Sequence, residues 1–591
     1  MICTARSVIL VESMYIFSYH SLLFMDFNLN KSFPRQTTNQ MFLLTLVLVG
    51  CALTTSLALP FLDARNTQPN STVDLGYSRY QGTLLSSGIS QYLGMRYASP
   101  PLGQNRFRAP QPPQNTNTTL IAQAFKPICL GTNAGLPSSQ SEDCLFVNVW
   151  APSAATPASK LPVWVFIQGG GYVSNSNANF NGSTVVDKSG HSIVFVNFNY
   201  RVGAFGFLSS EKVRENGDLN AGLLDQRMLL HWVQQHIAQE QFGGDPDHVV
   251  IHGVSAGGGS IALQMTAYGG RDDGLFVGAI GESPFFPTQP QVSELEWQFD
   301  RYLNATGCSY TYGGSADEAM GCLRSQSTAT LQAANVASPY PGQVASPLFY
   351  FTPSIDGDFI RDYPYNLFDQ GRFVDIPVMF GDDTNEGASF AANATTPNDL
   401  AVFFKNNYPQ LTSADTDDIN AEYPLMAALP NHAAYFPSAS AAYGETTFTC
   451  PGIFMSLALA QYNDPYKVWN YRYNVLDTRN VAGGIGVPHT FELPAVFGLG
   501  NTNNNPASSY STYNAKIIPV VMQYWISFVK ELSPNPYKDS TAPRWESMGA
   551  GAGSSLRRLV LQTNSTAMEI IPNDQLERCL FWKSLAVRME Q

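Results

Sequence analysis

The stretch from Phe242 to Gly257 reads F-G-G-D-P-D-H-V-V-I-H-G-V-S-A-G. It combines a turn, a short apolar strand at Val249 to Ile251, and the pentapeptide Gly253-Val254-Ser255-Ala256-Gly257. In a G-x-S-x-G after a strand, the serine sits in a strained strand-to-helix turn, and glycines two before and two after it let the backbone fold back sharply. The next residues, Gly258-Gly259-Ser260-Ile261-Ala262-Leu263-Gln264-Met265, predict a helix whose first amides face the serine. Glycine and serine are common enough for the pentapeptide to recur by chance, so the flanking strand and helix carry the reading.

The whole sixteen-residue pattern resembles the active-serine signature of the type B carboxylesterases and lipases, the cholinesterase-like α/β-hydrolases. The resemblance runs from about Leu75 to the C-terminus. It implies an α/β-hydrolase fold, with a mostly parallel central sheet, helices on both faces and a helical insertion near the active site. The segment from Gly94, G-M-R-Y-A-S-P-P-L-G-Q-N-R-F-R-A-P, is too rich in proline for a helix interior or a central strand, and it is similar to the family's opening motif. Ser141-Glu142-Asp143-Cys144-Leu145-Phe146-Val147-Asn148-Val149-Trp150 is similar to its second signature. By the same resemblance Arg106 pairs with Glu142, and Arg201 forms a salt bridge with Asp225.

Leu161 to Ile167 is a continuous apolar run, as in a strand buried on both faces, and it empties into Gln168-Gly169-Gly170-Gly171-Tyr172. A triglycine there lets bare amides point into a site, although the same residues also suit a flexible loop. The resemblance assigns oxyanion donors to Gly170, Gly171 and Ala256; Gln168 stands where relatives carry His or Tyr. Ser192 to Asn199 reads as another buried strand, and Leu223, Leu224, Met228, Leu229, Trp232 and Val233 recur at helical spacing as a core stripe. Phe276 to Gly281 is a further strand, ending in Glu282-Ser283-Pro284-Phe285-Phe286. Phe285 and Phe286 are candidates for the substrate pocket wall, with ordinary core packing as the alternative.

In α/β-hydrolases the triad follows the chain order Ser, acid, His. Of the eight histidines only His432 and His489 lie late enough. Asp382, Asp383 and Glu386 follow the strand-like Val378 to Gly381. Resemblance selects Glu386, in N-E-G-A-S-F, and His489, in G-V-P-H-T-F-E-L-P. A serine hydroxyl is a weak nucleophile near neutral pH, so an imidazole must take its proton and return it to the leaving alcohol, with the carboxylate orienting the ring. This chemistry requires no metal and no organic cofactor. Relatives often carry glutamate before the nucleophile, and choline-binding relatives a tryptophan between the first two cysteines of the domain. Val254 and the tryptophan-free run from Cys129 to Cys144 argue against a cationic-ester preference.

The chain has 591 residues, 44% hydrophobic and 13% charged, with a net charge of −13 and no basic cluster, which argues against nucleic-acid binding. Met41 opens an apolar run to Val49, followed by Ser56-Leu57-Ala58, a small-x-small cleavage site. Residues 1–58 read as a leader whose segment 41–58 is a secretory signal, and 59–591 as the catalytic domain. Two rivals for the run are a signal anchor and, at Leu48-Val49-Gly50-Cys51, a lipoprotein box; Pro60 and the small residues favour cleavage and secretion, leaving no stable membrane span. Sequons at Asn70, Asn117, Asn181, Asn304, Asn393 and Asn564 agree with an extracellular glycoprotein. Six cysteines remain after the leader and allow fifteen pairings. Resemblance implies Cys129–Cys144 across the loop before the second signature, Cys308–Cys322 across a short glycine-rich loop, and Cys450–Cys579, because Cys579-Leu580-Phe581-Trp582 matches a C-terminal cysteine motif of cholinesterases.

The expectation is a secreted serine carboxylesterase acting on small-molecule esters. A lipase for triacylglycerols or sterol esters is one alternative, and a non-catalytic adhesion relative is another, which the presence of all three triad residues disfavours. In the family's lipases the loop closed by the first disulfide is a long flap. Here Leu130 to Asp143 is fourteen residues with a polar tip, offering little apolar surface to a lipid interface. The long segment between Glu386 and His489 remains a candidate for a different cover.

Overall fold

Alternation of side chains along one strand shows how the sheet is buried. In Leu161–Ile167, Val163, Val165 and Ile167 enter one apolar core while Trp164 and Phe166 enter another, and all five are almost fully shielded from solvent. A strand covered on both faces has no use for polar residues, which explains the unbroken apolar run. The computed structural model describes residues 71–310, 314–502, 507–550 and 556–591. The leader and signal expected within residues 1–58, with Cys3 and Cys51, and the sequon at Asn70 lie outside them.

The large sheet has eleven strands: β1 Thr83–Leu84, β2 Ile89–Arg96, β3 Phe146–Pro152, β4 Leu161–Ile167, β5 Val194–Phe198, β6 Gly244–Val254, β7 Gly278–Glu282, β8 Val378–Asp383, β9 Val468–Tyr473, β10 Arg557–Leu561 and β11 Ala567–Ile570. Their spatial order is 11-10-9-8-7-6-4-5-3-2-1. From β5 to β10 every neighbouring pair is parallel, and antiparallel pairs close both edges. This is the mostly parallel α/β-hydrolase sheet, with the crossover of order at β4 and β5.

Helices cover both faces. α1 (Ala221–His236) and α2 (Ala256–Gly270) pack on the Val163 side, where Leu223, Leu229, Val233, Ile261 and Met265 join the core. Between β8 and β9 the insertion supplies α3 (Pro397–Asn407), α4 (Ser413–Glu422), α5 (Phe436–Gly444) and α6 (Cys450–Tyr462), with a π-helical turn at Glu445–Thr449 joining the last two. α7 (Ile517–Glu531) lies on the Trp164 side. α8 (Asn573–Leu585) docks on the insertion: Trp582 stacks on Phe404 with centroids 5.4 Å apart and donates to the Tyr423 hydroxyl.

Two buried ion pairs hold the long loops. Arg106 Nε lies 2.5 Å from Glu142 Oε1, and the guanidinium also donates to the carbonyls of Arg324 and Gln326. Arg201 grips Asp225 through Nε and Nη2 at 2.8 and 2.6 Å. Both pairs are bidentate, and in a dry interior that geometry, with every oxygen satisfied, is what makes the burial of charge tolerable. Disulfides join Cys129 to Cys144, Cys308 to Cys322 and Cys450 to Cys579.

Candidate active site

Ser255 stands between β6 and α2 with φ +59° and ψ −124°, a conformation that costs a residue with a side chain about 1–3 kcal/mol. The surroundings enforce it. The Ser255 amide donates to the Glu282 carbonyl at 2.9 Å, and the Ser255 carbonyl accepts from Gly259. A Cβ at Gly253 would meet the Gly257 carbonyl oxygen at 2.2 Å, and one at Gly257 would meet that of Ile167 at 2.0 Å. Both glycines of the pentapeptide are therefore demanded by backbone packed against backbone.

The loop after β4 lies beside the serine. Gly170 and Gly171 have φ of +121° and +62°. The loop is braced from within, because Val173 and Ser174 donate their amides to the Gly170 carbonyl. No protein acceptor takes the amides of Gly170, Gly171 or Ala256 among the described residues, and both glycines line a cavity of about 290 Å³ with Ser255, Phe349, Phe390 and His489. Gln168, the departure from relatives, is buried and donates to Asn199.

Glu386 and His489 arrive from loops after β8 and β9, stapled together by backbone. Asn385 donates its amide to the Val487 carbonyl, and Val487 donates to Asn385 Oδ1, both at 2.9 Å. Gly486, at φ +61°, lets the loop pass so close that a Cβ would reach 2.0 Å from Asn385 Oδ1. The result is direct contact between His489 Nδ1 and Glu386 Oε2. Ser283 Oγ at 2.6 Å and the Asp383 amide at 2.7 Å hold the other carboxylate oxygen. The imidazole is packed between Phe448 and Phe390, with centroids 4.4 and 5.0 Å away, and its Nε2 has no protein partner. His432 is elsewhere: half-buried, stacked on Phe436, its Nδ1 engaged by the Pro430 carbonyl. A second chamber of about 370 Å³ adjoins His489 and Thr490 on the side of Asp477, Arg479, Phe491 and Tyr510.

Of the two phenylalanines expected at the pocket wall, Phe285 packs one layer back, its ring 4.6 Å from that of Phe349, and Phe286 turns away to Tyr365. Phe349 and Phe390 form the wall itself. Sequence reasoning passed over both, together with Ser283, because a loop aromatic or a loop serine carries no periodicity. Below the site, burial pushes the Glu282 carboxyl up to about 8 and Asp382 to about 7. Burial and the neighbouring Glu282 raise Glu492 to about 8, while burial and the adjoining Glu492 raise Asp383 well above the ordinary carboxylate range. His252 Nε2 lies 3.1 Å from Glu282 Oε1, and burial pulls this imidazole down to about 3. Both shifts favour the uncharged forms of Glu282 and His252.

A strained serine at the carboxyl end of a doubly covered parallel sheet, beside a braced glycine loop, is the arrangement of the α/β-hydrolase fold. Residues 70–582 match the profile of the carboxylesterase family, and the chain belongs to that family and is a carboxylic ester hydrolase. Lipase 2 of Geotrichum candidum is 32% identical over 510 residues, 76% of this chain and 85% of its own. Secreted lipase 1 of Botryotinia fuckeliana is 30% identical over 562 residues, 86% of this chain and 94% of its own. Among solved structures, Aspergillus niger EstA superposes with a TM-score of 0.85 at 57% identity, covering 88% of this chain and 99% of that one. PNB esterase superposes with a TM-score of 0.70 at 26% identity, covering 86% and 100%.

Proposed function

We propose that the chain is a secreted serine carboxylesterase whose triad is Ser255, His489 and Glu386. The observation that supports this most is the contact of Glu386 with His489 Nδ1, which leaves Nε2 unpartnered in a ring that shares a cavity with Ser255. With its Nδ1 proton donated to Glu386, the imidazole has the tautomer that accepts a proton at Nε2. Ser255 Oγ attacks the ester carbonyl as Nε2 takes its proton. The carbonyl oxygen becomes an oxyanion facing the free amides of Gly170, Gly171 and Ala256, each worth about 3 kcal/mol of the barrier. Nε2 then protonates the departing alkoxide oxygen and the acyl group stays on Ser255. Water, deprotonated by the same nitrogen, releases the acid and restores the hydroxyl. Because the leaving oxygen must lie within hydrogen-bond reach of Nε2, the chamber past His489 and Thr490 is the natural place for the alcohol part.

Phe349 and Phe390 wall the serine's cavity closely, which suits short or medium acyl chains. The Leu130 to Asp143 loop supports soluble esters over interfacial substrates. It is tied down by Thr132 donating to the Val173 carbonyl, Asn133 donating to that of Asn335, and Gln332 donating to those of Gly131 and Ala134. None of its residues lines the serine's cavity. The relatives named lipases favour the second reading, hydrolysis of water-insoluble esters. A jump in rate as a triacylglycerol passes from solution to emulsion would decide for it, and a smooth rise through the solubility limit decides against. Secretion is supported by the relatives named secreted lipases and by three disulfides, which persist in oxidising compartments. The central test is Ser255→Ala: it should abolish both hydrolysis of a soluble p-nitrophenyl ester and stoichiometric labelling by an organophosphonate, with an unchanged circular dichroism spectrum. Undiminished turnover would remove Ser255 as nucleophile.

A further inference from the structure

Separate from the chambers at His489 is a cavity of about 300 Å³ whose lining includes Trp297, Tyr340, Pro409, Gln410, Glu294 and Glu590. It shares no residue with either chamber at His489. Its aromatic wall is fixed: Trp297 and Tyr340 meet edge to face with centroids 5.6 Å apart, and Trp297 also meets Tyr350. Tyr340 is 4% exposed, yet its hydroxyl has no protein partner. A buried hydroxyl left without a partner is costly, and native structures rarely leave one without a ligand or water nearby.

The acidic wall is equally unbalanced. Glu590, 3% exposed, accepts from the Thr288 hydroxyl and, at 3.3 Å, from Gln410 Nε2. Glu294 accepts from the Gln291 amide at 2.8 Å, and its carboxyl and that of Glu590 line the same cavity. Two carboxyl groups lining one small cavity, one of them on the buried Glu590, favour a positive charge there, either a proton or a bound cation. No basic side chain among the described residues supplies it. Arg588 is paired with Asp415 and Lys212 with Glu296, while Arg301 donates to the Tyr350 hydroxyl and the Val336 carbonyl. Hard metal ions gather six or more oxygen ligands, more than this mixed aromatic, proline and carboxyl wall offers.

We propose that this cavity is a binding site for a small organic cation, an alkyl- or quaternary ammonium group held by Glu294 and Glu590 against the faces of Trp297 and Tyr340. Aromatic faces attract such cations and tolerate their alkyl groups, whereas a carboxyl pair alone would not discriminate an ammonium from a metal. The cavity's size admits an ammonium with several carbons. The inference stands apart from the hydrolytic reading and does not depend on Ser255.

The test is isothermal titration of the whole protein with tetramethylammonium and propylammonium, beside the uncharged tert-butanol and Ca²⁺. Saturable millimolar binding of the ammonium ions, absent for tert-butanol, is expected, with a loss of about tenfold in affinity for Trp297→Ala and for Glu294→Gln. Glu294 is exposed, so its substitution leaves the fold in place should Glu590→Gln impair it. Ser255→Ala should bind as tightly as the parent. Absence of saturable ammonium binding, binding indifferent to Glu294→Gln, or Ca²⁺ bound in preference at the same residues would overturn the proposal.

Discussion

Replacing Gly171 by alanine isolates one of the proposed oxyanion donors. Two penalties follow from its position. At φ +62° an L-residue bears about 1–2 kcal/mol of backbone strain. The new methyl would also sit 2.0 Å from Cδ1 and Cε1 of Phe349, where carbon atoms normally rest about 3.5–4.0 Å apart, so ring or loop must yield by roughly 1.5 Å. The loop is braced by Ser174 from behind, where a Cβ on Gly170 would already strike the Ser174 carbonyl oxygen at 2.1 Å, so the displacement falls on the amides. A donor moved by that distance no longer reaches the oxyanion, and kcat should fall by about 10²–10³, equivalent to roughly 2.7–4 kcal/mol, with KM little changed. The double variant Gly171→Ala/Phe349→Ala removes the obstacle and should recover about tenfold, the φ strain remaining. The assay is steady-state hydrolysis of a soluble short-chain ester by each variant, including Phe349→Ala alone. If Gly171→Ala keeps more than a tenth of the parent kcat, or if the double variant is no better than the single one, the loop is not the rigid donor described here.

Glu282 and His252 make thermal stability depend on pH in opposite senses. The Glu282 carboxyl, raised from 4.5 to about 8, keeps its proton in the folded state, so stability is lost as pH rises through that window; His252, lowered from 6.5 to about 3, makes stability fall as pH drops through its own. A maximum near the overlap of the windows is expected, and Glu282→Gln should reduce the alkaline decline in melting temperature, which Asp382, Asp383 and Glu492 also feed, while leaving the acid one. Glu142→Gln breaks a buried bidentate pair and leaves Arg106 uncompensated, which should cost about 3–5 kcal/mol, read as a lowered urea midpoint. If the midpoint does not move, the pair is not the clamp its geometry suggests. Replacing Cys450 and Cys579 by serine opens a loop spanning a sequence separation of 129, worth about 5 kcal/mol in the chain-entropy model. Faster thermal inactivation should report it, and an unchanged half-life would refute it.

The parallel sheet and the serine turn were legible because they are local: buried strands announce themselves by unbroken apolar runs, and the turn needs small residues at fixed offsets. Arg106 with Glu142 and Arg201 with Asp225 were reachable only through resemblance, since nothing in their spacing brings them together. The substrate wall was not legible. Phe349 and Phe390 come from two loops, and whether a loop phenylalanine faces the cavity or lies behind it, as Phe285 does, depends on how those loops stack. The carboxyl groups beneath the site were equally hidden, because Asp383 and Glu492 meet only once β8 and the His489 loop are side by side.

The docking of α8 sets an order on the chain's assembly. The helix contributes Cys579, Arg578 and Trp582 to the face of the insertion, where Arg578 grips Glu445 and Glu445 opens the π-helical turn that follows α5. α5 in turn lies against the loop of Glu386, so closely that a Cβ on Gly387 would reach the Ser440 carbonyl oxygen at 1.9 Å. The scaffold behind Glu386 is therefore complete only after residues 573–585 have been synthesised and the bridge to Cys450 has formed. A chain still emerging from a ribosome, or held in a reducing compartment, would lack that brace, so hydrolytic competence should mature late, after oxidation, rather than during translation.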